Sequence, residues 1–246
     1  MSASAGGLLS RHRHRVLQLV MPGLRLGNAG AKFALAVYMA RYLGLADVGL
    51  FGLMVGAATG IPAIFGFGLN DWTGRHLVGM ARAAAMPVAV TRLATTVAVQ
   101  IVLQAVAWGL VALFHPPIAT STLALASAVL FLEHLAVDDY SLEIGRERPT
   151  FANVQLFLRA GLWPLPVIGW GLLDPAARSL DLVLGGWLAG LIAMWAVVAV
   201  RGLAGGRWRL IGFDGAHLRS ALRGSVPVWL ADMGAVGKLY LDRVLL

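Results

Sequence analysis

Cysteine is absent from the 246-residue chain. That excludes a disulfide framework, a thiolate metal site and a cysteine nucleophile. Charge is almost as scarce: 13% of the residues are charged against 59% hydrophobic, and the mean hydropathy is +0.76. A soluble domain of this size needs far more polar surface. Signature motifs are missing too. No Gly-x4-Gly-Lys-Ser/Thr loop is present, so the chain has no phosphate cradle with which to use ATP. Neither His-Glu-x2-His nor Gly-x-Ser-x-Gly occurs, and the six histidines are scattered. These absences imply no cofactor and no catalytic motif.

What is present is a series of apolar stretches. Seven recur, at about 22–42, 48–70, 90–114, 118–138, 151–173, 179–200 and 224–246. Most reach the roughly 20 apolar residues that a bilayer-spanning helix needs. The expected fold class is therefore all-α, a polytopic transmembrane helix bundle. The N-terminal segment carries Arg11, Arg13 and Arg15. No small-residue cleavage site follows at the right distance, so a cleaved signal peptide is not expected.

Arginines gather in every second gap. The gap after the second stretch holds Arg75, His76 and Arg82, and the gap after the fourth holds Arg146 and Arg148. The gap after the sixth holds Arg201, Arg207, Arg209, Arg219 and Arg223. The other gaps are nearly bare: Arg41 and Asp47 flank the first, His115-Pro116-Pro117 forms the third, and Arg178 stands in the fifth. Lys and Arg accumulate in cytoplasmic loops. This places the N-terminus and the even gaps inside and the odd gaps outside. The formal charge of +8 would point to nucleic acid in a soluble protein. Here orientation in a membrane accounts for it, and no nucleic-acid partner is expected.

Four regions follow: a cytoplasmic segment 1–21, a six-span lobe 22–200, a basic linker 201–223 and the first span of a second lobe, 224–246. The linker mixes arginines with Trp208, Leu210, Ile211, Phe213, Leu218 and Leu222, as an amphipathic segment on the inner leaflet does. The last stretch stops at Leu245-Leu246 without a polar exit, which leads to the expectation of an incomplete chain. A faint echo of 26–31 in 230–235 fits a six-span repeat cut short.

Polar residues inside the spans are the candidates for function. Placing Lys or Arg at the centre of a spanning helix costs roughly 2.5–3.5 kcal/mol. Arg25, Asn28 and Lys32 share one helical face by their i, i+3, i+7 spacing, which is expected to line a water-filled cavity or to pair with acids elsewhere. Arg41 and Arg75 lie near span ends. Candidate partners are Glu133, Asp138 and Asp139 in the fourth span, Arg92, Gln100 and Gln104 in the third, Asn153, Gln155 and Arg159 in the fifth, and Asp232, Lys238, Asp242 and Arg243 in the seventh. Guanidinium groups near the cytoplasmic ends suit a pyrophosphate.

Three landmarks carry a family resemblance. Residues 38–53, Tyr-Met-Ala-Arg-Tyr-Leu-Gly-Leu-Ala-Asp-Val-Gly-Leu-Phe-Gly-Leu, resemble the turn from first to second helix in polysaccharide-export flippases. Residues 66–75, Gly-Phe-Gly-Leu-Asn-Asp-Trp-Thr-Gly-Arg, resemble the next turn of that family. Residues 239–246, Leu-Tyr-Leu-Asp-Arg-Val-Leu-Leu, resemble its seventh-span landmark. The chain is thus similar to the O-antigen and exopolysaccharide branch of the multidrug/oligosaccharidyl-lipid/polysaccharide exporter superfamily. The resemblance implies a bacterial inner-membrane flippase that moves a polyprenyl-pyrophosphate-linked oligosaccharide by alternating access. It implies Arg25, Asn28, Lys32, Arg41, Arg75, Arg92, Arg159, Asp232, Lys238, Asp242 and Arg243 as substrate contacts. It also implies a lipid-linked oligosaccharide, the bilayer, and a polysaccharide polymerase and chain-length regulator as partners. The alternatives are a cation-coupled drug antiporter of the same superfamily, a membrane enzyme acting on a lipid phosphate through magnesium on Asp138, Asp139 and Glu143, and a non-transporting scaffold.

Overall fold

The structure, a computed structural model, describes the backbone of residues 4–204 and 212–244; among these, the side chains of 4–21, 82, 235, 236 and 238–244 are left undescribed. No strand occurs among the described residues, and the chain is an all-α polytopic membrane helix bundle. Among the described residues nine α-helices run in order: α1 Ser4–Tyr42, α2 Leu45–Phe65, α3 Leu69–Leu77, α4 Arg82–Phe114, α5 Thr120–Gly145, α6 Pro149–Phe157, α7 Pro164–Leu173, α8 Leu180–Ala204 and α9 Gly215–Val244. A π-helical turn, Leu158–Leu162, joins α6 to α7 into one long rod. Among the described residues five segments are long and apolar enough to cross a membrane: Leu45–Phe65, Ala83–Phe114, Thr120–Gly145, Pro149–Leu173 and Leu180–Ala204. The first and last helices have the length but carry more polar residues.

Apolar side chains point outward because lipid, not water, is the outer solvent. Ile101, Val102, Val106, Leu110 and Leu113 of α4 are all exposed. The polar residues turn inward instead. The middle of the bundle is α5, which touches α2, α3, α4, α6 and α8. Glu133, His134, Asp138, Asp139 and Glu143 of this one helix are all buried. Around it Val129, Val183, Leu184, Leu191 and Met194 form a fully buried apolar core with Trp163 and Trp187.

The gaps fall on two opposite end faces. Arg178 of the fifth gap lies over the Tyr42 ring beside the first, 4.4 Å from its centroid. Arg201 of the sixth lies 3.9 Å over Phe151, next to the fourth. Leu77, Gly79 and Met80 line one cavity with Arg146, Glu147 and Arg148, which brings the second and fourth gaps together. These contacts bring the first gap to the fifth, the sixth to the fourth, and the second to the fourth.

Three boundaries differ from the sequence reading. The N-terminal basic segment is not separate: α1 runs unbroken from Ser4. The second stretch does not continue to residue 70. The Pro62 carbonyl accepts the Gly66 N–H at 2.9 Å, and Phe67 (φ 53°) and Gly68 (φ 64°) then turn the chain into α3. The last helix begins earlier than residue 224. Asp214 accepts the His217 N–H at 2.8 Å, capping α9 so that its helix starts well before residue 224.

The last helix is held tightly. A Cβ on Gly68 would lie 2.8 Å from both the Ser225 carbonyl oxygen and the Trp229 nitrogen. Trp229 Nε1 donates to the Ile64 carbonyl at 2.7 Å. His217 packs with Trp72 and His76, ring centroids 5.0 and 5.1 Å away. Burial, then the neighbouring His76, pushes the His217 imidazole below its ordinary value, with Asp214 acting the other way.

Candidate functional site

The helices α1 and α2 barely touch; α1 packs mainly on α6, the π turn and α7, while α2 packs on α5 and α9. Between them opens a cavity of about 480 Å³. Its wall is mostly apolar and aromatic, with Phe51 and Val55 from α2, Trp163, and Trp187 from α8. Trp163 and Trp187 are parallel, with centroids 6.1 Å apart, and Phe51 meets Trp187 edge-on at 5.9 Å.

Three charged groups enter this cavity: Lys32 from α1, Glu133 from α5 and Arg159 from the π turn. Lys32 and Arg159 each lie ten residues from a helical end, at Tyr42 and Pro149. At 1.5 Å per residue that is about 15 Å, half of a hydrocarbon core. Arg159 Nε stands 3.5 Å from Glu133 Oε1, and Trp187 Nε1 donates to Glu133 Oε2 at 3.2 Å. The Nε and Nη1 groups of Arg159 are buried and make no hydrogen bond. Two cations thus face one carboxylate, so the cavity carries an excess positive charge in apolar surroundings. A π turn adds one residue to a helical turn, and here it carries the guanidinium that enters the cavity.

The remaining predicted residues are dispersed. Arg25 Nε donates to Asn153 Oδ1 at 3.3 Å. Asn28 is buried against Gly161, whose Cβ position lies 3.3 Å from the Asn28 Cα, and its Oδ1 has no partner. The shared face of Arg25, Asn28 and Lys32 therefore packs on α6 and the π turn for its first two members, and only Lys32 lines the cavity. Arg41 lies at the far end of α1 beside Tyr42. Arg75 is exposed, its Nε donating to the Asp71 carbonyl at 3.3 Å. Arg92 is fully committed: it bonds Asp138 at 3.0 Å, Thr96 at 2.6 Å and Asn70 at 3.2 Å. Asp232 lines a neighbouring polar cavity of about 330 Å³ with Asp71, Asn70 and Ser141. That cavity shares Thr59, Pro62 and Val137 with the first. Lys238, Asp242 and Arg243 lie outside the described side chains.

The acid pair does not make a chelate. Asp138 faces Arg92 and Thr96, while Asp139 accepts from Gln155 Nε2 at 2.6 Å. Glu143 is held by Arg146 at 2.9 Å and by Arg148 at 3.6 Å. Successive residues of a helix point about 100° apart, so neighbours in sequence serve different partners. Among the described residues no three His, Cys, Asp or Glu side chains converge on a point that could hold a metal ion.

The aromatic wall was not foreseen as part of the site. Tryptophans in an apolar stretch carry no signal of their own, and only the tertiary contacts select Trp163 and Trp187. Glu133 was visible as a partner, but not as the acid of this cavity.

No protein-family model, curated protein or solved structure matches the chain. The fold and cavity define it as a multi-pass membrane helix bundle with a mid-depth, cationic, aromatic-walled cleft.

Proposed function

We propose that this chain acts in a bacterial inner-membrane flippase. Its substrate is a polyprenyl-pyrophosphate-linked oligosaccharide, moved from inner to outer leaflet by alternating access. The N-terminus is cytoplasmic under the positive-inside rule. A polysaccharide polymerase and a chain-length regulator act downstream. The observation that carries this reading is the Arg159 guanidinium at mid-depth, whose buried Nε has only the 3.5 Å ion contact with Glu133 and whose buried Nη1 makes no hydrogen bond. A buried donor without a hydrogen bond is costly, and an anionic group entering between Lys32 and Arg159 would satisfy it. Phe51, Trp163 and Trp187 offer apolar faces for sugar rings to stack against.

A second reading, the cation-coupled drug antiporter, draws on Glu133, an acid deep in the same cavity. The Arg159 contact neutralises it and Lys32 remains in excess, which favours an anion.

The test is export of lipid-linked glycan in cells carrying the native coding frame. R159Q and K32Q are expected to reduce export at least about tenfold, the worth of one charge-assisted hydrogen bond of about 1.5–3 kcal/mol, with membrane levels unchanged. R75Q, outside the cavity, is expected to keep it. Normal export in R159Q would remove the site assignment. Loss of drug resistance without loss of glycan export would favour the antiporter.

A further inference from the structure

A third cavity, of about 260 Å³, lies away from the cleft, where the loop before α4 meets the loop before α6. Its floor is apolar: Leu77 and Ala85 are buried, with Met80 and Met86 beside them. Its wall is basic, formed by Arg146 and Arg148. Both arginines lean on Glu143, which is itself buried. The Arg146 side chain is only 10% exposed. One of its terminal nitrogens donates to Glu143, and the other reaches only the Met86 sulfur at 3.4 Å. A thioether is a weak acceptor, so most of the donor capacity of that nitrogen remains open to the cavity. Glu147 also lines the rim, but it is exposed and screened by water.

The position narrows the ligand. The cavity sits at the ends of membrane-crossing helices, on the face that carries the arginine-rich gaps. Headgroups lie at this depth, and basic pockets between spanning helices hold anionic headgroups there. A free phosphate would use the guanidinium wall and leave the apolar floor uncovered. An amphiphile uses both. We propose that this cavity binds the phosphodiester headgroup of an anionic phospholipid, with Arg146 and Arg148 on the phosphate and the lipid backbone over Met80 and Met86. The site is independent of the cleft and of what the cleft carries.

The test is native mass spectrometry of the purified chain after release from mixed phosphatidylglycerol and phosphatidylcholine bilayers. The wild type is expected to retain one phosphatidylglycerol in preference to phosphatidylcholine. R146Q is expected to weaken that retention about tenfold, the loss of one charge-assisted hydrogen bond, and R146K to keep most of it. R223Q removes an exposed arginine of α9 and is expected to retain the lipid as the wild type does. Equal loss in R146Q and R223Q would mean general surface charge and would overturn the site. So would absence of any headgroup preference in the wild type. Equal protection by inorganic phosphate alone would overturn the lipid assignment. Should R146Q not insert, M80W, which fills the cavity without changing charge, is expected to expel the lipid, and retention in M80W would count against the proposal.

Discussion

Two arginines inside the bundle, Arg92 and Arg159, show how the same residue type takes opposite roles. Arg92 spends its guanidinium on Asp138, Thr96 and Asn70. Arg159 makes one ion contact, from Nε to the Glu133 carboxylate at 3.5 Å, and its buried Nη1 makes no hydrogen bond. The first is structural because nothing remains for a ligand, and the second is available because something does. Removing one member of a buried ion pair strands the other charge, at a cost of about 3–5 kcal/mol. Asp138→Ala is therefore expected to destabilise the protein by roughly that amount in a detergent unfolding series. The double variant R92L/D138L is expected to recover most of the loss, because it removes both buried charges. Equal stability of D138A and wild type would refute the pairing.

Legibility in the sequence differs residue by residue. Lys32 and Arg159 stand out because a charge in an apolar stretch is costly wherever it sits. Whether that charge meets a partner is decided by a different helix. Arg25 and Asn28 share the face of Lys32 in the sequence, yet Arg25 bonds Asn153 and Asn28 is buried against Gly161. The pair Asp138-Asp139 looks like one motif in the linear chain, but the helix sends its members to Arg92 and Gln155.

At the scale of elements, the turn between α2 and α3 decides where the last helix docks. Pro62 and the left-handed Gly68 end α2 early, and the missing side chain of Gly68 lets the backbone of α9 approach. An L side chain there meets both an unfavourable φ and the Ser225 and Trp229 backbone. Gly68→Ala is expected to cost about 1–3 kcal/mol, the scale of strain at such a position, together with loosened packing of α9. Gly52, in α2 with open space around it, is the control. Gly52→Ala is expected to be neutral or stabilising by about 0.5–1 kcal/mol, because alanine favours a helix more than glycine does. Thermal unfolding of the two variants beside wild type separates them. A similar Tm for both substitutions would contradict the close approach.

For the whole molecule, the organising fact is the separation of two end faces. Tyr42 and Arg178 meet on one, and Phe151 and Arg201 meet on the other. The absence of cysteine makes the arrangement directly testable. Single cysteines at exposed Glu147 and Asp174 lie on opposite faces. In intact cells a membrane-impermeant maleimide is expected to label D174C and to spare E147C, which reacts after permeabilisation. Labelling of both positions from one side would break the topology. The reverse pattern would keep the bundle and invert its orientation.

Composition and spacing alone determined that this chain is an all-α membrane protein, because hydrocarbon admits only segments whose backbone bonds close internally. They also set the expected alternation of the gaps, since moving arginine across a bilayer is costly at each gap. Tertiary structure alone decided which charged residues share a cavity. That selection depends on the angle at which α1 leaves α2, on the π turn that carries Arg159, and on the partners α5 supplies. Each is a relation between helices distant in sequence, and no local pattern encodes it.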